Sequence, residues 1–275
     1  MKITFGLVVY NEEQFIRRVL ESIAPVADEI IVIHDGPCND KTLDIAREFT
    51  KNVIIGKRLG GSDPHRIRIL EAAANEWVFM IDADEFLSLE LQEVLKSSSL
   101  QVTDVVGAVA VKWPLWDGER YVTEGNSRPV LFRRSMAWAV GLHNTSTQTN
   151  GKTLRTPYVL EHRPTHSKIS GSYVAKKLRE RVVRDAAQFL KGPDVLPWFH
   201  RERVDPIFLQ EWQAMLAHPR TMAYYRYIKF FLGSMKNTYQ DGLPGVKISL
   251  IQAKYQFDLA MEIWKQKQRK NHLSR

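Results

Sequence analysis

Asp82, Asp84 and Glu85 close the run Trp-Val-Phe-Met-Ile-Asp-Ala-Asp-Glu at residues 77–85. The apolar residues before them include β-branched and aromatic members and read as a buried strand. Unpaired charge is not left in a core, so the chain must surface at Asp82. Side chains two apart in extended backbone point the same way, so Asp82 and Asp84 converge. Two convergent carboxylates at a strand end make a seat for a hard divalent cation, and such a cation also binds phosphate oxygens. For an isolated Asp-x-Asp an acidic loop is the ordinary explanation. The upstream context decides here.

That context is an alternation of strands and helices. Ile3–Tyr10 is an apolar strand, and Asn11 reads as the N-cap of an acidic first turn leading into an amphipathic helix through Ile23. Glu29–His34 is the second strand and runs into Asp35-Gly36-Pro37-Cys38-Asn39-Asp40. A helix over Thr42–Thr50, a strand over Val53–Ile55, a helix over Arg66–Ala74 and a strand over Trp77–Asp82 follow. Such alternation implies βαβ units and a mainly parallel sheet. Open sheets of this kind bind ligands at the carboxyl ends of their strands, where Tyr10, Asp35 and Asp82 all fall.

Composition narrows the function classes. The chain has 275 residues, 44% hydrophobic and 25% charged, enough for one large domain or one domain with an appendage. A single cysteine, Cys38, excludes an intramolecular disulfide framework and a cysteine zinc site, and suits a cytoplasmic setting. Neither a signal peptide nor a transmembrane run is expected. The net charge of +8 arises mostly beyond Arg120 and points to an anionic partner. No nucleic-acid-binding motif accompanies it, so nucleic acid is not expected as a partner. The expected division is a catalytic domain over residues 1–168 and a mainly helical region over 169–275.

Taken in order, Val9-Tyr10-Asn11-Glu12-Glu13, Ile31-Val32-Ile33-His34-Asp35-Gly36 with Asp40-Lys41-Thr42, Arg66 with Ala73 and Glu76-Trp77-Val78, and Asp82-Ala83-Asp84-Glu85 resemble a family 2 glycosyltransferase with the GT-A fold. Arg128-Pro-Val-Leu-Phe-Arg-Arg134, Gly141-Leu-His143 and Tyr239-Gln-Asp-Gly-Leu-Pro-Gly245 resemble a subgroup related to bacterial lipopolysaccharide-core sugar transferases. The resemblance covers residues 1–145 most closely. It implies a Rossmann-like, mainly parallel sheet with a helical C-terminal extension. It also implies transfer of a sugar from a UDP- or GDP-sugar to a glycan or lipid-linked acceptor of the cell envelope, with inversion, aided by Mn²⁺ or Mg²⁺.

By that resemblance Asp35 hydrogen-bonds the nucleobase, Tyr10 stacks on it, and Glu12 lies in the turn lining the pocket. The macrodipole also accounts for Glu12 and Glu13 as first-turn charges. Asp84 takes the direct metal contact, and Asp82 reaches ribose, metal or both. Arg66 matches a basic residue of the family and places a guanidinium near the diphosphate, although Ile67 stands where the family usually has Asn. His162 and His143 each end a short apolar run and are candidate metal-side or phosphate-side ligands. Arg128 and Arg133 are candidates for acceptor or phosphate contact. His65 and His166 are given no special role.

An inverting transferase also needs a carboxylate to accept the acceptor proton. Related sequences commonly follow the histidine with Glu, whereas here Asn144 follows His143. Glu85, Glu124 and Glu161 are the candidates. Asp117-Gly118 reads as a turn. Trp116 is a platform for a sugar face, while Trp113 reads as core. Beyond residue 168, Ile169–Leu190, residues 208–235 and Val246–Trp264 carry helical apolar spacing, followed by a basic tail from Lys265. This region serves as a packed subdomain, a homodimer interface or a peripheral surface for anionic lipid on the inner face of a membrane. Two other functions share the paired aspartates. A nucleotidyltransferase would show a Gly-rich basic loop where Tyr-Asn-Glu-Glu stands, and an inactive nucleotide-sugar-binding module is favoured only by Asn144.

Overall fold

The protein is described by a computed structural model covering residues 1–123, 126–142, 147–164 and 171–273. It divides into two compact units. The first comprises Met1–Pro114, Ser127–Pro164 and Pro197–Arg203.

Strands and helices of the first unit alternate as the periodicity requires: β1 (Ile3–Val9), α1 (Ile16–Ile23), β2 (Glu29–Asp35), α2 (Thr42–Phe49), β3 (Val53–Gly56), α3 (Asp63–Ala72) and β4 (Trp77–Ile81). There follow β5 (Glu85–Leu87), α4 (Leu89–Lys96), β6 (Val106–Trp113), β7 (Asn126–Arg133), β8 (Ala137–Val140), β9 (Gln148–Thr149), β10 (Lys152–His162) and β11 (Trp198–Phe199). The main sheet has the order β3-β2-β1-β4-β7-β6-β10-β5. β1 pairs in parallel with β2 and β4, β2 with β3, and β6 with β10, while β7 runs antiparallel to β4. This Rossmann-like, mainly parallel sheet is the GT-A arrangement the resemblance implies. β11, β8 and β9 form a separate small sheet.

Burial explains why the central strands lack a polar alternation. Phe5, Leu7, Phe79 and Ile81 are covered on one face, and the Phe5 and Phe79 rings stack with centroids 4.9 Å apart. On the other face α3 sits close against β1. A side chain at Gly6 would place its Cβ 2.3 Å from Ile69 Cγ2, so this approach requires glycine.

Two boundaries differ from expectation. Asn11 is not an N-cap: it takes φ 52°, and α1 begins only at Ile16, without an acidic first turn. Asn tolerates the left-handed region better than most residues, and the chain uses it to turn out of the sheet. Helix α3 starts at Asp63, with Pro64 in its first turn, so His65 and Arg66 both lie on it.

The second unit comprises Leu115–Asn126, Thr165–Leu196 and Val204–Arg275. The units therefore interleave along the chain rather than meeting at one boundary near residue 168. Its helices are α5 (Gly171–Phe189), α6 (Pro206–Ala217), α7 (Pro219–Thr238) and α8 (Gly242–Leu273). α7 and α8 form a hairpin that turns at Gly242, φ 61°. Pro244 and Gly245 fall inside α8, and Lys265 to Leu273 are its last turns rather than a separate tail. Tyr255, Leu259 and Ile263 are buried, and the Tyr255 hydroxyl donates to Asp185 at 2.5 Å. No helix among the described residues is long and apolar enough to cross a membrane.

Candidate active site

Parallel pairing of β1, β2 and β4 brings their carboxyl ends to one edge of the sheet. Antiparallel β7 adds residues by register. Trp77 pairs with Arg133 and Phe79 with Leu131, so Arg128 arrives beside Asp82. The same register carries Arg133 to the opposite end of β4, about 16 Å away at 3.3 Å per residue. There Arg133 donates to the Thr103 carbonyl at 2.9 Å and lies 5.0 Å over the Trp77 ring. Arg133 is thus a structural residue, not an acceptor or phosphate contact.

Around Asp82 the charges alternate. Arg66 Nη2 donates to Asp82 Oδ1 at 2.5 Å, and Arg128 Nη2 lies 3.4 Å from Asp82 Oδ2. Burial opposes the charge on Arg66, but the carboxylates of Asp82, Asp63 and Glu85 outweigh it and hold the guanidinium above its ordinary pKa. Arg128 is balanced likewise: burial opposes its charge, and Glu85 and Asp82 more than restore it against the repulsion of Arg66. Both arginines stay charged while paired with Asp82 and Glu85.

Glu85 is the keystone of this cluster. It is fully buried, accepts the Trp113 indole Nε1–H at 2.6 Å and the Asp82 backbone N–H at 2.9 Å, and forms an ion pair with Arg128. A general base must reach a substrate hydroxyl. Glu85 cannot, so its candidacy is corrected: it positions Arg128, Trp113 and the Asp82 turn.

Asp84 faces the opening differently. Its side chain is 30% exposed, Oδ2 lies 3.1 Å from His162 Nε2, and its carbonyl accepts the Arg163 N–H at 2.9 Å. Trp113 stacks on His162 with centroids 4.2 Å apart and an interplanar angle of 26°, which fixes the ring. Among the described residues no group of three His, Cys, Asp or Glu side chains gathers as a ready metal cage. A carboxylate beside an imidazole, open on one side, suits a cation that takes its remaining ligands from phosphate and water.

Glu161 pairs with Phe86 and His162 with Glu85 across β10 and β5. Neighbouring strand residues face opposite sides, so Glu161 points away from His162 and Asp84. It lies on the Phe86 side, 3.4 Å from Arg163 Nη2. This excludes Glu161 as the base acting beside Asp84.

The ends of β1 and β2 form a second, rigid part of the site. His34 Nε2 accepts the Asn11 N–H at 3.2 Å, so the proton is on Nδ1 and is donated to the Gly36 carbonyl at 2.7 Å. Asn11 Oδ1 accepts the Asn39 N–H, Thr42 Oγ1 the Glu12 N–H, Asp40 Oδ2 the Glu13 N–H, and Glu13 Oε2 the Lys41 N–H. Asn11-Glu12-Glu13 and Asp40-Lys41-Thr42 are therefore two loops stapled together.

Tyr10 and Asp35 sit at this end, and both are engaged by one arginine. The Arg58 guanidinium lies 3.3 Å from the Tyr10 ring centroid, and its Nη1 donates to Asp35 Oδ2 at 2.6 Å. Asp35 also accepts the Leu59 N–H at 2.6 Å, the Gly60 N–H at 3.0 Å and His65 Nε2–H at 3.0 Å. Burial opposes the Asp35 charge, but the Leu59 and His65 hydrogen bonds and the Arg58 charge hold its pKa below the usual carboxylate value. A carboxylate accepts about four hydrogen bonds, so a ligand reaching Asp35 must displace one. Arg58, 46% exposed, is the donor free to leave.

Arg58 is absent from the sequence-based expectations, where His65 has no special role and Trp113 reads as core. Arg58 lies in the β3–α3 loop, which gives no periodicity, and His65 is one polar residue among several at the start of α3. Trp116 belongs to the second unit, where it meets Tyr121 edge-on at 5.1 Å beside the turn that Asp117 Oδ1 and Gly118 make. Glu124, His143 and Asn144 lie outside the described residues.

Known proteins match this chain. The family model described as "Glycosyl transferase family 2" matches residues 4–151. An uncharacterized glycosyltransferase of Rickettsia bellii (strain RML369-C) is 36% identical over 97 residues, covering 34% of this chain and 32% of its own length. The SPbeta prophage-derived glycosyltransferase SunS of Bacillus subtilis (strain 168) is 38% identical over 90 residues, 32% of this chain and 21% of its own. The match thus spans a third or less of these relatives' lengths. Among solved structures, S. aureus TarS 1-349 in complex with UDP-GlcNAc covers 98% of this chain and 92% of its own at 15% identity and TM-score 0.46. The matched segment includes Tyr10, Asp35, Arg66, Asp82, Asp84 and Arg128, the residues that converge at the strand ends, and it spans more than half of the sequence. The chain belongs to glycosyl transferase family 2.

Proposed function

We propose that this protein transfers a sugar from a UDP- or GDP-sugar to a hydroxyl of a glycan or lipid-linked acceptor of the cell envelope, with inversion. The observation that carries the reading is the meeting of Asp82, Asp84, His162, Arg66 and Arg128 at one sheet edge. Asp84 and His162 would hold Mn²⁺ or Mg²⁺, which when bound stabilises charge on the departing diphosphate. Arg66 and Arg128 bind that diphosphate, and Asp82 keeps the two guanidiniums apart and turns to the ribose. The nucleobase takes the place of Arg58 over Tyr10 and on Asp35, while the Glu12 turn lines the pocket.

In transfer the acceptor oxygen bonds to the anomeric carbon as the bond to the diphosphate breaks, and the acceptor proton passes to a carboxylate. Of the three carboxylates considered, Glu124 is retained on sequence grounds. A cytoplasmic enzyme acting at the inner membrane face fits such an acceptor. A panel of nucleotide sugars assayed for hydrolysis and transfer, with and without Mn²⁺, tests the proposal. One donor should be consumed in a metal-dependent manner. Donor binding without turnover of any panel member would point to a binding module instead.

A further inference from the structure

Among the described residues, one face of the second unit's helical hairpin is apolar and exposed. Tyr224, Ile228 and Leu232 follow at four-residue spacing on α7, so they line one side of the helix. All three are more than half exposed, as are Tyr239 and Leu243 at the turn. Ala223, Ser234 and Thr238 lie on the opposite, buried side. Tyr224 meets the partly buried Phe257 of α8 edge-on at 5.4 Å, at the seam between the two helices. From Tyr224 to Tyr239 the stripe is about 22 Å long at 1.5 Å per residue. An apolar surface of this extent marks an interaction site rather than scattered exposure.

Charge says what covers it. Residues 206–275 carry eleven Lys and Arg against four Asp and Glu. Lys229 and Lys254 are paired with Glu211 and Asp258, but Lys236 and Lys247, which flank the turn, hold no ion pair among the described residues. At the other end of the stripe a cleft of about 720 Å³ is lined by His218, Arg220, Tyr224, Trp264 and Lys267. Arg220 lies 5.5 Å over the Trp264 ring. Aliphatic and tyrosine side chains between cationic ends match the depth profile of a bilayer interface: apolar groups below, phenols at the headgroups, ammonium groups among the phosphates. A second copy of the same face would bring like charges together.

We propose that the α7–α8 hairpin is a docking surface for an anionic lipid bilayer, with the stripe from Tyr224 to Leu243 in the interface and the His218–Arg220–Lys267 cleft receiving a lipid headgroup phosphate. This differs from a docking surface built on Val246–Trp264 and a basic tail, because Tyr255, Leu259 and Ile263 of that run are buried. The proposal is independent of the donor-site reading, and its test reads binding rather than activity.

The whole chain is sedimented with vesicles of phosphatidylglycerol and phosphatidylcholine, and with phosphatidylcholine alone, at low and high salt. The expected result is binding to the anionic vesicles that weakens with salt. Ile228→Glu with Leu232→Glu replaces exposed residues only, so the melting temperature should hold while vesicle affinity falls at least tenfold. Lys236→Glu with Lys247→Glu should lower affinity and flatten its salt dependence. Absence of binding to anionic vesicles at low salt, or unchanged binding by the Ile228→Glu, Leu232→Glu protein, overturns the proposal. So does a wild-type dimer in sedimentation equilibrium that this double variant dissolves without any vesicle binding, for then the occupant is a second copy.

Discussion

The Arg58 guanidinium stands 3.3 Å from the centroid of the Tyr10 ring, over the ring proposed to stack on the nucleobase. The same group satisfies Asp35 Oδ2. Binding of a base must break both contacts, so Arg58→Ala should tighten uridine or guanosine binding about three- to tenfold, the scale of a partly exposed cation–π contact. Calorimetric titration with the free nucleosides measures it. Weaker binding by the variant would mean that Arg58 clasps the base instead of yielding to it.

Asp35→Ala should act in the opposite direction. Loss of a charge-assisted hydrogen bond costs roughly 1.5–3 kcal/mol, and the cost should appear with nucleoside as well as with nucleoside diphosphate. The variant also leaves buried His65 without its acceptor, so its melting temperature will fall. Full nucleoside affinity in a protein that merely melts earlier would reduce Asp35 to a cap of the β3–α3 loop.

Glu85→Gln separates a positioning role from a basic one. Breaking a buried ion pair while leaving its partner charged costs about 3–5 kcal/mol, so the variant should be markedly less stable to urea, with Trp113 fluorescence changed. A general base replaced by its amide would instead lose turnover at unchanged stability. Retained stability with lost turnover therefore contradicts the assignment.

Acid should loosen the Asp35–Asp40 end of the first unit. Burial opposes the charges of Asp35 and Asp40, yet hydrogen bonds from Leu59 and His65 hold the first pKa down, and those from Thr42 and Glu13 hold the second to about 2. A carboxylate that binds its proton less readily when folded contributes fully above its unfolded pKa. The contribution is lost as pH falls through the folded value. Stability of the wild type should thus drop below about pH 4, and Asp35→Asn with Asp40→Asn should flatten that slope. An unchanged slope in urea melts across pH 2–5 would show that neither carboxylate is linked to folding.

The fold was legible because β1, β2 and β4 are continuous apolar runs, each ending in a polar residue that buried strands cannot carry further. The positions of Asp35, Asp82 and Asp84 at strand ends were legible for the same reason. Arg128 and Arg133 could not be told apart, since both have the right chemistry and only the antiparallel register of β7 separates them. Glu85 and Glu161 looked available because sequence does not report burial or which face of β10 a residue takes. Asn11-Glu12-Glu13 read as a helix start, yet the turn's side chains and N–H groups bind the loop after β2, a contact between segments about thirty residues apart. Arg58 lies in a loop whose conformation follows from Asp35 rather than from its own sequence.

Asp84 and His162 are proposed to bind a nucleotide sugar through a divalent cation. Calorimetric titration of UDP and GDP into wild type and Asp84→Asn, each with and without Mn²⁺, tests it most directly. Asp84 is part-exposed, and the Asn amide oxygen can keep the contact with buried His162 Nε2, so the variant should keep its melting temperature. Mn²⁺ should strengthen binding of one nucleotide to the wild type by at least tenfold and have no effect on Asp84→Asn. Equal Mn²⁺-dependent affinity in the two proteins would contradict the account.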